Sequence, residues 1–347
     1  MKIGIDISQI VYAGTGVATY TRNLVTSLLA IDKKNEYILF GSTLRRQKDL
    51  KKFTKNVWPL PPTFLDILWN RLHVLPIETF IGKLDVFHSS DWTQPPTKAK
   101  KVSTIHDLIV YKYPESSHPQ IIATQKRRLN WVKKECDLII VDSLSTKKDC
   151  QEILGIQESR LRVIYPAVSE GFKPQSNAKV SAILRKYNLR PDYILAVGTR
   201  EPRKNLQRVV AAAQKTNSHL VIAGKFGWGE DIKGAQPLGY VPQEDLPALY
   251  CGAKCLVYPS LYEGFGIPVL EALACGCPVV TSKTGSLLEV AGDAAFYVNP
   301  ESVEDIVEKL EVVDQSLVKK GLVQAKKFSW EKTAKETLRV YEEVVRG

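Results

Sequence analysis

The segment Ser260-Leu-Tyr-Glu-Gly-Phe-Gly-Ile-Pro-Val-Leu-Glu-Ala272 combines two carboxylates, two glycines and a proline. Proline is well tolerated at the first position of a helix, so Pro268 predicts that a helix begins beside it. Gly264 and Gly266 let the backbone approach a ligand closely, because neither carries a Cβ. The N-terminus of such a helix directs N–H groups and the positive end of its dipole toward an anion, most often a phosphate. The segment therefore predicts a loop-to-helix turn that binds phosphate.

The two glutamates of this segment are expected to lie on opposite sides of the turn. Glu263 precedes the helix, whereas Glu271 lies about one turn into it. One carboxylate can then reach hydroxyl groups on one side of a diphosphate and the other those on the opposite side. A nucleotide sugar has this layout of ribose, two phosphates and hexose. The alternative is that Glu263 is a solvated loop charge and Glu271 a helix-start carboxylate favoured by the dipole.

Glu263 and Glu271, with seven residues between them in E-G-F-G-x-P-x-x-E-A, resemble the paired-glutamate motif of retaining glycosyltransferases of family 4. The resemblance covers nearly the whole chain and is strongest over residues 193–300. It implies the GT-B fold, an α/β architecture of two Rossmann-like doubly wound domains that face each other across a cleft. It also implies transfer of a hexose from a nucleotide-diphosphate sugar to a glycan or lipid-linked glycan acceptor. Mannose is the expected hexose and GDP-mannose the expected donor.

Strand and helix patterns alternate along the 347 residues, which predicts parallel α/β units and enough chain for two domains. We expect residues 1–170 and residues 171–328 to form two Rossmann-like domains. The resemblance implies that the first binds the acceptor and the second the nucleotide sugar. The resemblance implies that a helix over residues 329–347 crosses back to the first domain. Ligands of doubly wound sheets bind beyond the carboxyl ends of the strands, so we expect the site in the cleft.

A second segment, Gly198-Thr-Arg-Glu-Pro-Arg-Lys-Asn205, follows a predicted strand and is expected to open a helix. Arg203 and Lys204 could hold a diphosphate there, arginine by its planar fork and lysine as a point charge. The resemblance implies that they stabilise the charge that grows on the leaving diphosphate, without a metal. The alternative, a basic helix start without function, is disfavoured because cations are unfavourable at a helix N-terminus unless an anion binds there.

Two weaker motifs lie in the first half of the chain. Gly14, Thr15 and Gly16 follow the first strand and could equally form an ordinary tight turn. The resemblance implies that they close over the donor phosphates and the acceptor. His106 and Asp107 end another strand, where such a pair is more often structural. His106-Asp107-Leu resembles the mannosyltransferase-like branch of the family, which implies that His106 approaches the donor hexose and Asp107 the acceptor.

The resemblance assigns the remaining roles residue by residue. Glu271 is expected to bind the ribose hydroxyls and Glu263 the hexose hydroxyls, while the backbone of Gly239-Tyr-Val241 meets the nucleobase. The stretch from Asp142 to Asp149 is similar to a family motif and is expected to be mainly structural. The predicted catalytic residues are His106, Asp107, Glu263, Arg203 and Lys204. The predicted donor-binding residues are Gly14, Thr15, Gly16, Gly198, Arg203, Lys204, Tyr240, Val241, Glu263, Gly264, Phe265, Gly266, Ile267 and Glu271.

Charge is distributed unevenly along the chain. Residues 1–168 carry 25 lysines and arginines against 16 acidic residues, whereas residues 169–347 carry 23 against 21. Such a field attracts anionic surfaces. Residues 57–81 add an apolar face at helical spacing beside a basic run, a composition typical of helices at a membrane interface. The alternatives are a solvated basic face and a helix packed on its own domain, so peripheral contact with an anionic membrane stays one of two expectations.

Six cysteines could suggest a metal site, but Cys251 and Cys255 are expected to diverge, and Cys275 and Cys277 flank a turn. We therefore expect no metal and no cofactor.

The first residues are predicted to form a strand, and no apolar run approaches the ~20 residues that cross a bilayer. A cytoplasmic location is therefore expected, with peripheral attachment to the inner face of the membrane as a further expectation. Two other classes stay open. One is another GT-B enzyme, such as a UDP-sugar transferase or a nucleotide-sugar epimerase, and the other is a non-catalytic basic protein that binds a membrane or nucleic-acid surface, although no nucleic-acid motif is recognised.

Overall fold

The structure is a computed structural model that describes residues 1–12, 14–224 and 233–347. The chain divides into two compact units. The first unit is Met1–Pro166 together with Trp330–Gly347, and the second unit is Ala167–Ser329. Each unit contains one parallel sheet whose strands are connected by helices.

The sheet of the first unit has seven strands in the order β3-β2-β1-β4-β5-β6-β7. Their bounds are β1 Lys2–Asp6, β2 Glu36–Ser42, β3 Val57–Trp58, β4 Val86–Ser89, β5 Lys100–Ile105, β6 Leu138–Val141 and β7 Leu161–Val163. Central strands such as β6 are buried along their whole length, which is why they read as continuous apolar runs. The strand order reverses between β1 and β4, and this switch point is where doubly wound sheets bind ligands.

The helices of the first unit are α1 Gly16–Ile31, α2 Gln47–Leu50, α3 Pro62–Leu65, α4 Glu78–Ile81, α5 Ile109–Lys112, α6 Pro119–Glu135, α7 Leu144–Leu154 and α15 Trp330–Arg346. The last helix belongs to the core of this unit. Ala334, Val340 and Tyr341 of α15 pack in the same buried cluster as Ile3 and Ile5 of β1. Its apolar residues recur at helical spacing, so one face of α15 is buried while the other carries charge.

The sheet of the second unit has six strands in the order β10-β9-β8-β11-β12-β13, with its switch point between β8 and β11. Their bounds are β8 Tyr193–Val197, β9 Leu220–Ala223, β10 Gln236–Gly239, β11 Ala253–Tyr258, β12 Val279–Ser282 and β13 Phe296–Val298. The helices are α8 Asn177–Lys186, α9 Leu206–Lys215, α10 Leu246–Gly252, α11 Ile267–Cys275, α12 Leu287–Ala291, α13 Val303–Val312 and α14 Val318–Ala325.

The helix predicted to open with Arg203 and Lys204 begins later, at Leu206. The two basic residues lie instead in a 3-10 turn over Pro202–Lys204. The break occurs at Asn205, whose backbone is left-handed at φ 59° and whose buried side chain donates to the carbonyls of Pro259 and Pro300. Asparagine tolerates this conformation better than most residues. The two cations therefore precede the first turn of α9, the turn in which the helix dipole would disfavour them.

The apolar face predicted over residues 57–81 is divided between core and surface. The helix Pro62–Leu65 passes into a π-helical turn over Asp66–Arg71, so the chain does not keep one helical face. Leu65, Leu68 and Trp69 pack in a buried cluster, whereas Phe64 and Leu72 are 44% and 62% exposed. The buried half of the predicted face thus fits a helix packed on its own domain, whereas the other half faces solvent. Among the described residues, no helix has the length and apolarity needed to span a bilayer.

Candidate active site

The loops that follow β8 and β11, on either side of the switch point of the second unit, bring the predicted basic pair and one predicted glutamate together. Lys204 Nζ lies 2.6 Å from Glu263 Oε1, and an Arg203 guanidinium nitrogen lies 2.7 Å from Glu263 Oε2. Arg203 also pairs with Glu201 at 2.6 Å and donates to the carbonyl of Tyr262 at 3.0 Å. Both carboxylates thereby hold the guanidinium in one orientation.

This cluster is buried, and its charges control its ionisation. Burial alone would raise the pKa of Glu263, but Arg203 and Lys204 outweigh burial and lower that pKa to about 2. Burial and the neighbouring Arg203 lower the pKa of Lys204. The Lys204 ammonium also donates to the hydroxyl of Tyr258 and lies 4.7 Å from the centre of its ring. The cluster is therefore a fixed arrangement of two cations and two carboxylates.

The glycine-rich turn is tightly supported. Gly266 has φ 100° and caps α11 without a side chain, so the first turn of the helix keeps its N–H groups clear of any capping side chain. A Cβ on Gly266 would lie 2.6 Å from Leu287 Cδ2, and a Cβ on Gly285 would lie 2.6 Å from the Glu263 carbonyl oxygen. Ser286 donates its hydroxyl to the carbonyls of Glu263 and Phe265. Sequence reasoning did not identify Gly285 and Ser286, because they become neighbours of the turn only in the folded unit.

The second glutamate of the motif has a different environment. Glu271 lies in the second turn of α11 and is 7% exposed. Its Oε2 accepts a 2.8 Å hydrogen bond from the hydroxyl of buried Tyr250. Burial raises the pKa of Glu271 to about 8, and the hydrogen bond from Tyr250 only partly opposes this. Tyr250 lies outside the motif and was not predicted.

The other predicted donor contacts follow strands β8, β10 and β11 of the same sheet. Gly198 directly follows β8 with φ 138°, and a Cβ there would lie 3.4 Å from Lys204 Cε. Tyr240 follows β10 and is 51% exposed, whereas Val241 is buried. Phe265 is buried, with its ring 5.7 Å from that of Phe328. Gly264 and Ile267, also predicted to contact the donor, lie directly before Phe265 and directly after Gly266 in the same turn.

In the first unit, His106 follows β5 and Asp142 follows β6. His106 Nδ1 lies 2.7 Å from Asp142 Oδ2, and the ring of Tyr20 packs edge-on against the imidazole with centroids 4.7 Å apart. Burial lowers the pKa of His106, but the charge and hydrogen bond of Asp142 outweigh burial and raise it to about 9. Asp142, the first residue of the stretch expected to be mainly structural, thus contacts one of the predicted catalytic residues.

The remaining predicted residues of the first unit make local structural contacts. Asp107 Oδ1 accepts from the Ile109 N–H at 3.0 Å and so shapes the start of α5. Thr15 caps α1 by accepting from the Ala18 N–H at 3.2 Å, and Gly14 has φ 82°. A Cβ on Gly16 would meet no atom within 4 Å. These contacts are those of a turn before a helix. The role of this loop in binding donor and acceptor stays a prediction.

Among residues 1–12, 14–224 and 233–347, no group of three or more His, Cys, Asp or Glu side chains has the arrangement of a metal site. The six cysteines are free thiols. Cys251 donates to the carbonyl of Cys275 at 3.4 Å, which gives these two residues a packing role.

The sequence matches two family models that together span most of the chain. Residues 14–172 match the model described as Glycosyltransferase Family 4, and residues 182–316 match Glycosyl transferases group 1. The chain belongs to this family of glycosyltransferases, and the protein is a glycosyltransferase. The family predicted from the paired-glutamate motif is confirmed.

Two relatives are named as O-antigen chain mannosyltransferases. The chain is 33% identical over 280 residues to O-antigen chain mannosyltransferase B of Escherichia coli, covering 74% of each sequence. It is 25% identical over 336 residues to O-antigen chain mannosyltransferase RfbU of Salmonella typhimurium, covering 90% of each.

The fold is shared with solved structures. Sucrose-phosphate synthase from Thermosynechococcus elongatus superposes with a TM-score of 0.75 at 19% identity, covering 99% of both chains. At this identity the likeness shows the fold alone. The predicted fold class, GT-B with two Rossmann-like domains, is confirmed.

Proposed function

We propose that this glycosyltransferase is a retaining enzyme that transfers a mannosyl group from GDP-mannose to a glycan or lipid-linked glycan acceptor. The observation that carries the proposal is the buried cluster of Arg203, Lys204 and Glu263 at the switch point of the second unit. Mannose as the transferred sugar is supported by the relative that is 33% identical, which is named a mannosyltransferase. The proposal includes no metal and no cofactor.

The donor diphosphate binds, in this proposal, between the basic pair and the start of α11. Gly266 leaves the first turn of α11 without a capping side chain, and helix N-termini of this kind attract phosphate oxygens. Glu271 accepts hydrogen bonds from the ribose hydroxyls, and Glu263 accepts from hydroxyls of the hexose. The turn at Tyr240 and Val241 contacts the nucleobase.

The chemical step depends on charge that develops on the leaving group. As the glycosidic bond breaks, the diphosphate gains negative charge and the hexose takes on oxocarbenium-like character. Arg203 and Lys204 stabilise the diphosphate, and their contacts with Glu201 and Glu263 fix them in advance, so little reorganisation is needed during reaction. His106 binds a hydroxyl of the transferred hexose, and the acceptor attacks from the same face that the diphosphate leaves.

The donor assignment is tested by thermal unfolding with GDP, UDP, ADP and CMP, and with GDP-mannose and UDP-glucose. A ligand at 100 times its dissociation constant adds about 2.7 kcal/mol of stability, which gives a measurable shift in Tm. We expect a shift with GDP and GDP-mannose that is lost in Arg203→Ala/Lys204→Ala. Lys215→Ala, which removes an exposed surface pair with Glu304, is the matched control and keeps the shift.

Two results would contradict the assignment. A shift confined to UDP and UDP-glucose would replace the proposed donor while leaving the class of enzyme intact. Binding of GDP-mannose that the double variant does not weaken would show that the basic pair does not contact the diphosphate. Product analysis by NMR of the anomeric proton then tests retention of configuration.

We also propose that the first unit contacts an anionic membrane surface, where a lipid-linked acceptor would be found. The support is a set of exposed apolar side chains within residues 64–75: Phe64, Ile67, Leu72, Val74 and Leu75 are each at least 44% exposed. The loop that carries the last two is hydrogen-bonded to the buried side chain of Trp69. Trp69 Nε1 donates to the Leu75 carbonyl at 2.9 Å, and Leu75 itself has the unusual φ of 59°.

Sedimentation with vesicles tests this contact. We expect the protein to bind vesicles that contain phosphatidylglycerol, and Leu72→Ser/Leu75→Asn to weaken that binding about tenfold or more, since each buried leucine contributes about 1.5–3 kcal/mol. Val323→Ser removes an equally exposed apolar side chain from the second unit and serves as the control. Equal binding of all three proteins would refute a role for this segment.

A further inference from the structure

The contact between His106 and Asp142 is set by the register of the sheet. In the pairing of β5 with β6, Ile105 lies opposite Val141. The next residues, His106 and Asp142, therefore leave the carboxyl edge side by side, and their side chains meet at 2.7 Å. Because paired strands fix this approach, the contact does not depend on the conformation of a long loop.

Both side chains are held from further directions. Tyr20 of α1 packs edge-on against the imidazole at an interplanar angle of 77°. Thr146 Oγ1 donates to the carbonyl of His106 at 3.3 Å. Asp142 directly precedes Ser143, which caps α7 by accepting from the Thr146 N–H. Burial raises the pKa of Asp142, while the charge and hydrogen bond of His106 oppose that rise. The dipole of α7, whose N-terminus lies beside Asp142, also favours the carboxylate form.

Two hydrogen-bonding atoms of the pair take no part in this contact: Asp142 Oδ1 and His106 Nε2. Asp142 Oδ1 is buried and has no hydrogen-bond partner among the described residues. The His106 side chain is 15% exposed, and within the described part of the chain its hydrogen bond is made through Nδ1 to Asp142. The tautomer of a histidine is set by the hydrogen bond that one ring nitrogen makes, which leaves the other nitrogen to a ligand.

We propose that Asp142 is a positioning residue: it keeps a proton on His106 Nδ1 and orients the ring so that Nε2 meets a hydroxyl of the transferred hexose. This inference rests on the proposed function, because the hexose is the ligand that His106 meets there. The protonated ring donates from Nε2 to a hydroxyl oxygen, and the positive charge strengthens that hydrogen bond. The titratable groups that face the ring are Tyr20 of α1, His88 of β4, Asp91 after β4, Asp107 in the same loop and Asp142.

The test reads the imidazole directly and then the reaction. In protein labelled with 15N-histidine, the signals of five histidines are expected, and His106→Asn identifies the one of interest. In the wild type we expect His106 to titrate near pH 9. In Asp142→Asn, which keeps the shape and removes the charge, its pKa should fall to about 6.5 or below, the value of a histidine without a charged partner.

Steady-state kinetics with GDP-mannose and acceptor complete the test. Loss of orientation at a substrate-binding group lowers kcat/KM by about 100-fold in Asp142→Asn, and Asp142→Glu recovers part of it. In the pH profile of the Asn variant, the limb that reports His106 should move from near pH 9 to about pH 6.5 or below. Asp149→Asn removes another buried carboxylate, which pairs with Lys112 at 2.8 Å, and should alter neither the spectrum nor the pH profile.

Three outcomes would overturn the inference. Unchanged imidazole signals and an unchanged pKa of His106 in Asp142→Asn would show that Asp142 does not set the state of the ring. Altered signals with an unchanged kcat/KM would show that this state does not matter to transfer. A wild type that transfers no hexose from any nucleotide sugar would remove the proposed function and the inference together, whereas the first two outcomes leave wild-type transfer intact.

Discussion

The two glutamates of the motif are predicted to change stability in opposite directions when each is replaced by glutamine. Burial raises the pKa of Glu271 to about 8 from its usual 4.5. Burial acts on Glu263 as well, but Arg203 and Lys204 outweigh it and lower the pKa to about 2. Each pH unit between the folded and unfolded pKa corresponds to about 1.4 kcal/mol of folding free energy.

For Glu271, the unfolded chain loses its proton near pH 4.5, and the folded chain keeps it until about pH 8. The free energy of unfolding therefore falls as the pH rises through this interval, by up to about 5 kcal/mol. Glutamine cannot ionise, and its amide oxygen can still accept the hydrogen bond from Tyr250. We expect the free energy of unfolding of Glu271→Gln to be about 2–4 kcal/mol larger than that of the wild type at pH 8. At pH 5 the difference should be less than about 1 kcal/mol.

For Glu263 the sign is reversed. Its stabilising contribution is present above pH 4.5 and is lost as the pH falls toward about 2. Glu263→Gln leaves the buried Arg203 and Lys204 facing a neutral side chain, and breaking a buried ion pair in this way costs about 3–5 kcal/mol. We therefore expect this variant to be less stable than the wild type at both pH 5 and pH 8.

Urea unfolding of the full chain, followed by circular dichroism at the two pH values, gives the comparison. Glu304→Gln, in an exposed pair with Lys215, is the control and should unfold at the same urea concentration as the wild type. A stability difference between Glu271→Gln and the wild type that does not grow from pH 5 to pH 8 would refute the reasoning. In the proposed function the same variant binds GDP more weakly, so the gain in stability would accompany a loss of donor affinity.

Two further substitutions test packing, one beside the glycine-rich turn and one at a buried cation of the first unit. Gly266→Ala would force a Cβ to 2.6 Å from Leu287 Cδ2 at a φ of 100°. We expect the free energy of unfolding to fall by about 2 kcal/mol, measured by thermal unfolding. The control is Gly171→Ala, whose Cβ would meet nothing within 4 Å and which should leave Tm unchanged. Arg128→Met removes a 1% exposed guanidinium that donates five hydrogen bonds, so the free energy of unfolding should fall by about 3 kcal/mol or more. Lys126→Met, on the exposed side of α6, should change stability little. An equal Tm for the two variants would contradict this expectation.

The alternation of strands and helices was predictable because buried parallel strands read as apolar runs and the helices between them as amphipathic ones. The core of the second-unit site was predictable for a related reason. Glu263, Gly266 and Glu271 lie in one continuous segment whose spacing alone defines a turn. Arg203 and Lys204 lie in a second such segment, although the local break at Asn205 changed a predicted helix start into a 3-10 turn.

The supports of the site could not be predicted from the same patterns. Tyr250 reaches Glu271, Ser286 reaches Glu263, and Asp142 reaches His106 through contacts that exist only once strands pair and helices pack. No local spacing connects such residues, which are 21 to 36 positions apart. The apolar face over residues 57–81 is divided between core and surface for a different reason, since a π-helical turn changes which side chains share a face.

The discontinuity of the first unit has a consequence for synthesis on the ribosome. Tyr341 and Val344 of α15 are buried in its core beside β1, yet the 163 residues of Ala167–Ser329 are made before them. At about 5–20 residues per second, the first unit waits roughly 10–30 s after Pro166 is made for the helix that completes it. The second unit is continuous and can mature during that delay. During the wait, the apolar surface that α15 later covers is open to chaperones, so the N-terminal half of this chain is expected to be the last to reach its native state.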